Sequence, residues 1–157
     1  MEYKIREIKE EEIVKLHRFL YLAIYVHKGE TPPSFDIIYK PELQVYVDKL
    51  GKKKDDHILV AEAENRIVGA VWVRIMDDYG HIDDDTPSLI ISVEKEYRGK
   101  GIGSSLLSAM LSLLSDLGYK SVSLSCQKEN YAVSLYKRLG FCIVRDIDEE
   151  YIMRKTF

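Results

Sequence analysis

A β-branched run, Leu89-Ile90-Ile91-Ser92-Val93, leads through Tyr97-Arg98-Gly99-Lys100-Gly101-Ile102-Gly103-Ser104 into an apolar segment with helical spacing. This strand, glycine turn and helix constrain the fold more than any other part of the chain. Three alternating glycines leave the backbone bare where the helix begins. The first helical turn has orphan N–H groups and a partial positive charge, so it attracts phosphate. Glycine removes the side chains that would keep an anion away. Arg98 and Lys100 add positive charge at the same place, and arginine can hold a phosphate through two parallel hydrogen bonds. The stretch reads as a pyrophosphate cradle.

Two familiar glycine loops are excluded. A dinucleotide fingerprint needs G-x-G-x-x-G and an acidic residue about 20 positions on, at a second strand's end. Here Ser104 stands at the third glycine, and Asp116 lies inside the following helix. A Walker loop needs G-x-x-x-x-G-K-[ST], whereas Gly99-Lys100 is followed by Gly101. What remains is R-x-x-G-x-G at 98–103, a spelling that resembles the acyl-CoA loop of the GNAT superfamily of N-acetyltransferases. Residues 130–141, from Asn130 through Ala132, Leu135 and Tyr136 to Gly140-Phe141, resemble that family's N-x-A-x-x-L-Y-x-x-x-G-F element. Many relatives place the asparagine one position earlier, at Glu129 here, and carry proline at the position of Lys95. The resemblance is strongest over 57–141, and the order of elements fits the whole chain.

The resemblance implies acetyl-CoA as cosubstrate and a primary amine as acceptor, joined by direct attack without an acyl-enzyme. It implies two central strands that splay apart, with the pantetheine arm between them. The arm would pair with backbone groups of Ile91, Ser92 and Val93, as an added strand does. An N–H of Ile91 or Ser92 would face the thioester oxygen. Arg98, Gly99, Lys100, Gly101, Ile102, Gly103 and Ser104 would hold the pyrophosphate, with Asn130 and Tyr136 completing the cofactor site. Tyr136 is the leading catalytic candidate, its hydroxyl beside the departing sulfur. A phenol near pKa 10 hardly gives its proton to a thiolate near 8.5, so hydrogen bonding counts as much as transfer. The bland alternative is a core tyrosine.

The amine is the larger problem. An alkylammonium near pKa 10.4 is neutral about once in 2,500 molecules at pH 7, a penalty of roughly 4.6 kcal/mol. Asp83, Asp84, Asp85, His81 and Glu62 are the candidates to remove its proton, with Asp85 first because it lies closest to the strand. The acidic run would also attract a cationic acceptor. Tyr21, Tyr25, His27 and the loop at 30–35 would wall the acceptor pocket in this family, as a small-molecule or peptide site. A covalent route through Cys126 lacks a His or Asp spaced to activate the thiol. The rival from another class is a non-catalytic acyl-CoA-binding or sensing module, which has no use for a leaving-group donor.

Composition sets the outer bounds. A length of 157 residues suits one domain, 1–157, with a real core. A net charge of −3 argues against nucleic acid as a partner, and Lys52-Lys53-Lys54 is offset by Asp55-Asp56. No apolar run approaches the roughly 20 residues of a membrane span, and the acidic start is unlike a signal peptide. Cys126 and Cys142 fall in strand-like segments and read as buried thiols, which suits the cytoplasm. The four histidines lack metal-ligand spacing, so no metal is expected. The family resemblance also admits a homodimer.

Periodicity supplies the elements. Strands are expected at 3–8, 57–63, 66–75, 88–93, 121–126, 141–145 and 151–154, with a hairpin turn at Glu64-Asn65. Helices are expected at 10–27, from Pro41 to just before Gly51, at 101–117 and at 130–139. The expected fold is α/β: a mixed, mostly antiparallel sheet of about seven strands with helices on both faces.

Overall fold

In the computed structural model, which describes residues 2–157, Glu64 and Asn65 both take positive φ, 52° and 64°. That backbone matches the twist of a tight hairpin and reverses the chain between β2 (His57–Ala63) and β3 (Arg66–Arg74). With β1 (Lys4–Glu7), β4 (Ser88–Val93), β5 (Ser121–Gln127), β6 (Cys142–Ile147) and β7 (Glu150–Thr156), they form one sheet ordered β1-β2-β3-β4-β5-β7-β6. Every neighbouring pair is antiparallel except β4 and β5. Those two touch at one ladder position, Ser88 opposite Ser123, and then part. The splayed central pair is therefore present.

Alternation along the strands divides the core in two. Leu89, Val93, Val122 and Leu124 face helices α3 (Ile102–Asp116) and α4 (Ala132–Arg138). Helix α3 buries Ile102, Leu106, Leu107, Met110, Leu111 and Leu114 there. At roughly 1.5–3 kcal/mol per large apolar side chain, this stripe anchors the helix and so fixes where its first turn sits. On the other face Ile58, Val60, Trp72 and Ile90 meet α1 (Leu16–Leu22) and the short α2 (Pro41–Gln44). Ser92 joins β4 to α1, its hydroxyl donating to the Phe19 carbonyl at 2.6 Å.

The first two helices are shorter than their periodicity predicts. Residues 10–15 form a 3-10 segment, and α1 ends at Leu22 rather than His27. Ile24 and Val26 line the cleft described below, whereas Leu16, Phe19 and Leu20 enter the core. The apparent stripe thus belonged to two different surfaces. After Gln44 the chain continues as turns to Gly51, because Arg74 binds the Val45 and Asp48 carbonyls from within the sheet. Cys142 corrects the expectation of two buried thiols: Cys126 is buried, but Cys142 lies exposed on the edge strand β6. An edge strand with no helix over this stretch leaves both its faces in water.

Candidate active site

The chain leaves β4 through a short 3-10 turn, Lys95–Tyr97, and enters α3 across glycines that need their special backbone. Gly99 and Gly101 have φ of 75° and 85°, a region costly for any side chain, and Gly101 is the residue that caps α3. Gly103 differs. It lies within α3, and a Cβ there would meet only Val93 Cγ2, at 3.8 Å. The fold therefore tolerates a methyl group at 103, and bareness there serves whatever approaches the helix from outside. Arg98 Nε donates to the Val93 carbonyl at 2.9 Å, tying the loop to the end of β4.

Gly103 and Arg98 line a cleft of about 590 Å³ between β4 and α4, on the side where β4 has parted from β5. Ile91, Ser92 and Val93 form one wall, with Asn130, Ala132, Leu135 and Tyr136 opposite. From Leu89 onward β4 pairs with β3 alone, so its β5-facing edge offers unpaired backbone groups along the cleft. Gly99, Lys100, Gly101 and Ser104 are exposed beside the bare helix start. Ile102 is buried in the core, so only its backbone is available to a ligand. Asn130 has a local duty as well: its Oδ1 accepts from the Ala132 amide at 2.9 Å, capping the start of α4.

Tyr136 is 9 % exposed and packs edge-on against Phe141, with ring centres 5.8 Å apart. Burial pushes its phenol far above the ordinary value. The phenol is thus held neutral, a hydrogen-bond donor with no acceptor among the described residues. Burial first, then the Glu150 charge, push the Cys126 thiol up to about 11. A thiol so hard to ionise is a poor nucleophile.

Tyr21, Tyr25, Pro32 and Pro33 cover the cleft from the α1 side. The Tyr21 hydroxyl donates to the Pro33 carbonyl, and its ring packs on Phe35. His27 sits between Glu129, at 2.8 Å, and Glu149, at 3.8 Å. It ties this loop to the start of α4 and to the turn between β6 and β7.

The acids expected near the amine are not brought to the cleft. Asp85 is exposed, and its amide donates to Asp83 Oδ1, so the acidic run folds into its own turn. Thr86 and the Asp85 amide hold the Asp83 carboxyl below its usual range. Asp84 is exposed beside His81, and Glu62 is paired with Arg6 and Lys4 on the outer strands. Periodicity gave no reason to single out Asp78, yet this carboxylate lies at the point where β4 and β5 part. Its Oδ1 accepts from Ser88 Oγ at 2.8 Å, and it shares a slot with Tyr46 and Tyr136. One signal for it was available in Gly80, the lone glycine of the loop at 76–87. A Cβ at Gly80 would stand 3.2 Å from the Leu124 carbonyl carbon, so the loop backbone is pressed onto β5.

Residues 54–143 match the family model described as an acetyltransferase (GNAT) domain. A human protein named N-acetyltransferase 8B is 35% identical over 83 residues, 52% of this chain and 37% of that protein. An N-alpha-acetyltransferase of Saccharolobus solfataricus is 33% identical over 112 residues, 61% of this chain and 66% of its own. The chain thus spans less than two thirds of the length of either relative. Among solved structures, the PaiA N-acetyltransferase of Thermoplasma acidophilum in complex with coenzyme A superposes with a TM-score of 0.73. That match covers 100% of both chains at 20% identity, a likeness of fold.

Proposed function

This chain belongs to the GNAT family of acetyltransferases, and we propose that it moves an acetyl group from acetyl-CoA to a primary amine by direct attack in a ternary complex. The observation that carries the reading is a single continuous cleft. It runs from the bare start of α3, along the unpaired edge of β4, to the free hydroxyl of Tyr136. A phosphate-attracting end, an edge that can pair with amides and a neutral donor are the three features that a CoA thioester needs.

In this reading Arg98, Lys100 and the amides of residues 99–104 hold the diphosphate, and Asn130 contributes at the other wall. Ile91 to Val93 pair with the amide-rich arm. One N–H from Ile91 or Ser92 faces the thioester oxygen, where negative charge grows as the amine attacks. Tyr136 donates a hydrogen bond to the departing sulfur. Its raised pKa makes full ionisation unfavourable, so its contribution is to hold the thiolate until a proton from the new amide nitrogen reaches it.

The acceptor enters beside Tyr21, Tyr25 and the paired prolines. The archaeal relative is named for the alpha-amino group that it acetylates, so a peptide with a free N-terminus heads the list of acceptors to try. Thiol release from acetyl-CoA should be followed with that peptide, a lysine peptide and spermidine, beside calorimetry with CoA. The reading predicts CoA binding together with thiol release for at least one amine. Binding with no transfer to any amine would favour a sensing module, and absence of CoA binding would overturn both.

A further inference from the structure

Tyr136 and Ile91 also line a second cavity, a slot of about 100 Å³ between Leu89–Ile91 of β4 and Leu124–Ser125 of β5. Ile90, Ile91 and Leu124 make much of its wall. Asp78 is the only carboxylate on that wall. We propose that Asp78 is the catalytic base that takes the proton from the acceptor ammonium. The inference rests on the acetyl-transfer reading given above.

Position is the first argument. Ser88, Ile90 and Ser92 point to the α1 side of β4, whereas Leu89, Ile91 and Val93 point to the α3 side. The Ser88 hydroxyl bonds Asp78, and Tyr46 beside it belongs to the α1-side core. Tyr136 belongs to the opposite core. The slot therefore has a carboxylate toward one face of the sheet and a phenol donor toward the other. Amide formation needs that polarity, since a proton must leave nitrogen on one side while sulfur is supplied on the other.

Chemistry is the second argument. An ordinary carboxylate is about six pKa units too weak to deprotonate an alkylammonium comfortably. Burial raises the Asp78 carboxyl, opposed in part by the Ser88 hydroxyl, the Gly80 amide and the Tyr46 hydroxyl, and the net rise narrows the gap. The other ionisable groups facing this place are Tyr46 after α2, Tyr136 on α4, Glu150 at the start of β7, and Tyr79 in the same loop. Burial and the Asp78 charge keep Tyr46 neutral. Asp78 is thus an acceptor beside Tyr46 and Tyr136, two phenols that hold their protons.

The step balances. The ammonium gives one proton to Asp78, and the freed lone pair forms the C–N bond as the C–S bond breaks. The second proton, on the new amide nitrogen, passes to sulfur beside Tyr136, leaving amide and free thiol. Asp78 then returns its proton to water.

The test uses the whole chain with Asp78→Asn, which keeps the size of the side chain and its contact with Ser88. With an amine that the wild type acetylates, kcat at pH 7 should fall about 100-fold or more. The deficit should shrink as pH rises toward the pKa of the amine, while the CoA dissociation constant stays unchanged by calorimetry. Carbon-13 NMR of the Asp78 carboxyl in the CoA complex gives a readout that needs no acceptor. Titration clearly above the ordinary value of about 4 is expected. Wild-type kcat across the pH range, or a carboxyl that titrates at or below that value, overturns the inference while leaving the acetyltransferase reading in place. Failure of the wild type to bind CoA overturns the acetyltransferase reading instead.

Discussion

At the scale of single residues, groups that build the fold differ from groups free to serve a ligand. Tyr136 is packed like a core residue, yet its hydroxyl has no partner among the described residues. Tyr136→Phe should lower kcat about 100-fold and leave CoA affinity within twofold, because the ring contacts remain. A variant with wild-type turnover would return Tyr136 to a packing role. The glycines separate in the same way. Gly103→Ala meets only Val93 at 3.8 Å and should keep the melting temperature, yet weaken CoA binding about tenfold, roughly 1.4 kcal/mol. Gly101→Ala should lower both, since φ of 85° strains any side chain, by about 1 kcal/mol. Melting curves beside calorimetry distinguish the two. The placing of the glycine loop before α3 and of Tyr136 on the cleft wall was legible in sequence because both follow from local spacing.

At the scale of elements, the strands were predicted closely and the first helices were not. Strands β2 to β5 alternate against two cores, so their boundaries follow from period two. Helix α1 fails as a prediction because residues beyond Leu22 serve the cleft and mimic helical spacing. That loop is where pH should act. The Glu129 hydrogen bond raises the His27 pKa from 6.5, with smaller electrostatic help from Glu30 and Glu149. The raised value means that the tie is fully present below about pH 6.5 and fades as pH rises through the folded value. Hydrogen exchange across residues 23–34, corrected for the intrinsic rate, should therefore quicken as pH rises through that value. Glu129→Gln should abolish that pH dependence, and persistence of the dependence would remove His27 from the account.

At the scale of the whole molecule, a buried ion pair holds the segment after α2 against the sheet. Arg74 and Asp56 are 3% and 0% exposed at their side chains, and Arg74 also binds the Val45 and Asp48 carbonyls around Tyr46. Asp56→Ala strands a buried guanidinium and should cost about 3–5 kcal/mol, roughly 10 °C in melting temperature. CoA affinity of the folded variant should be unchanged, since the pair lies outside the cleft. The same long-range folding explains why Asp78 escaped the sequence. Its place depends on Gly80 lying against β5 and on Ser88 standing where two strands part, and neither is a matter of spacing. Asp85, nearer to β4 in sequence, turns instead toward its own neighbours.

Acetyl transfer by this chain requires the bare start of α3 and the parted strands to act as one binding surface for CoA. A titration followed by amide NMR addresses that directly. Saturating CoA should shift the amides of residues 99–104 together with those of Ile91 to Val93, while residues of β1 and β2 stay fixed. Unmoved resonances at 99–104 under saturating CoA would contradict it.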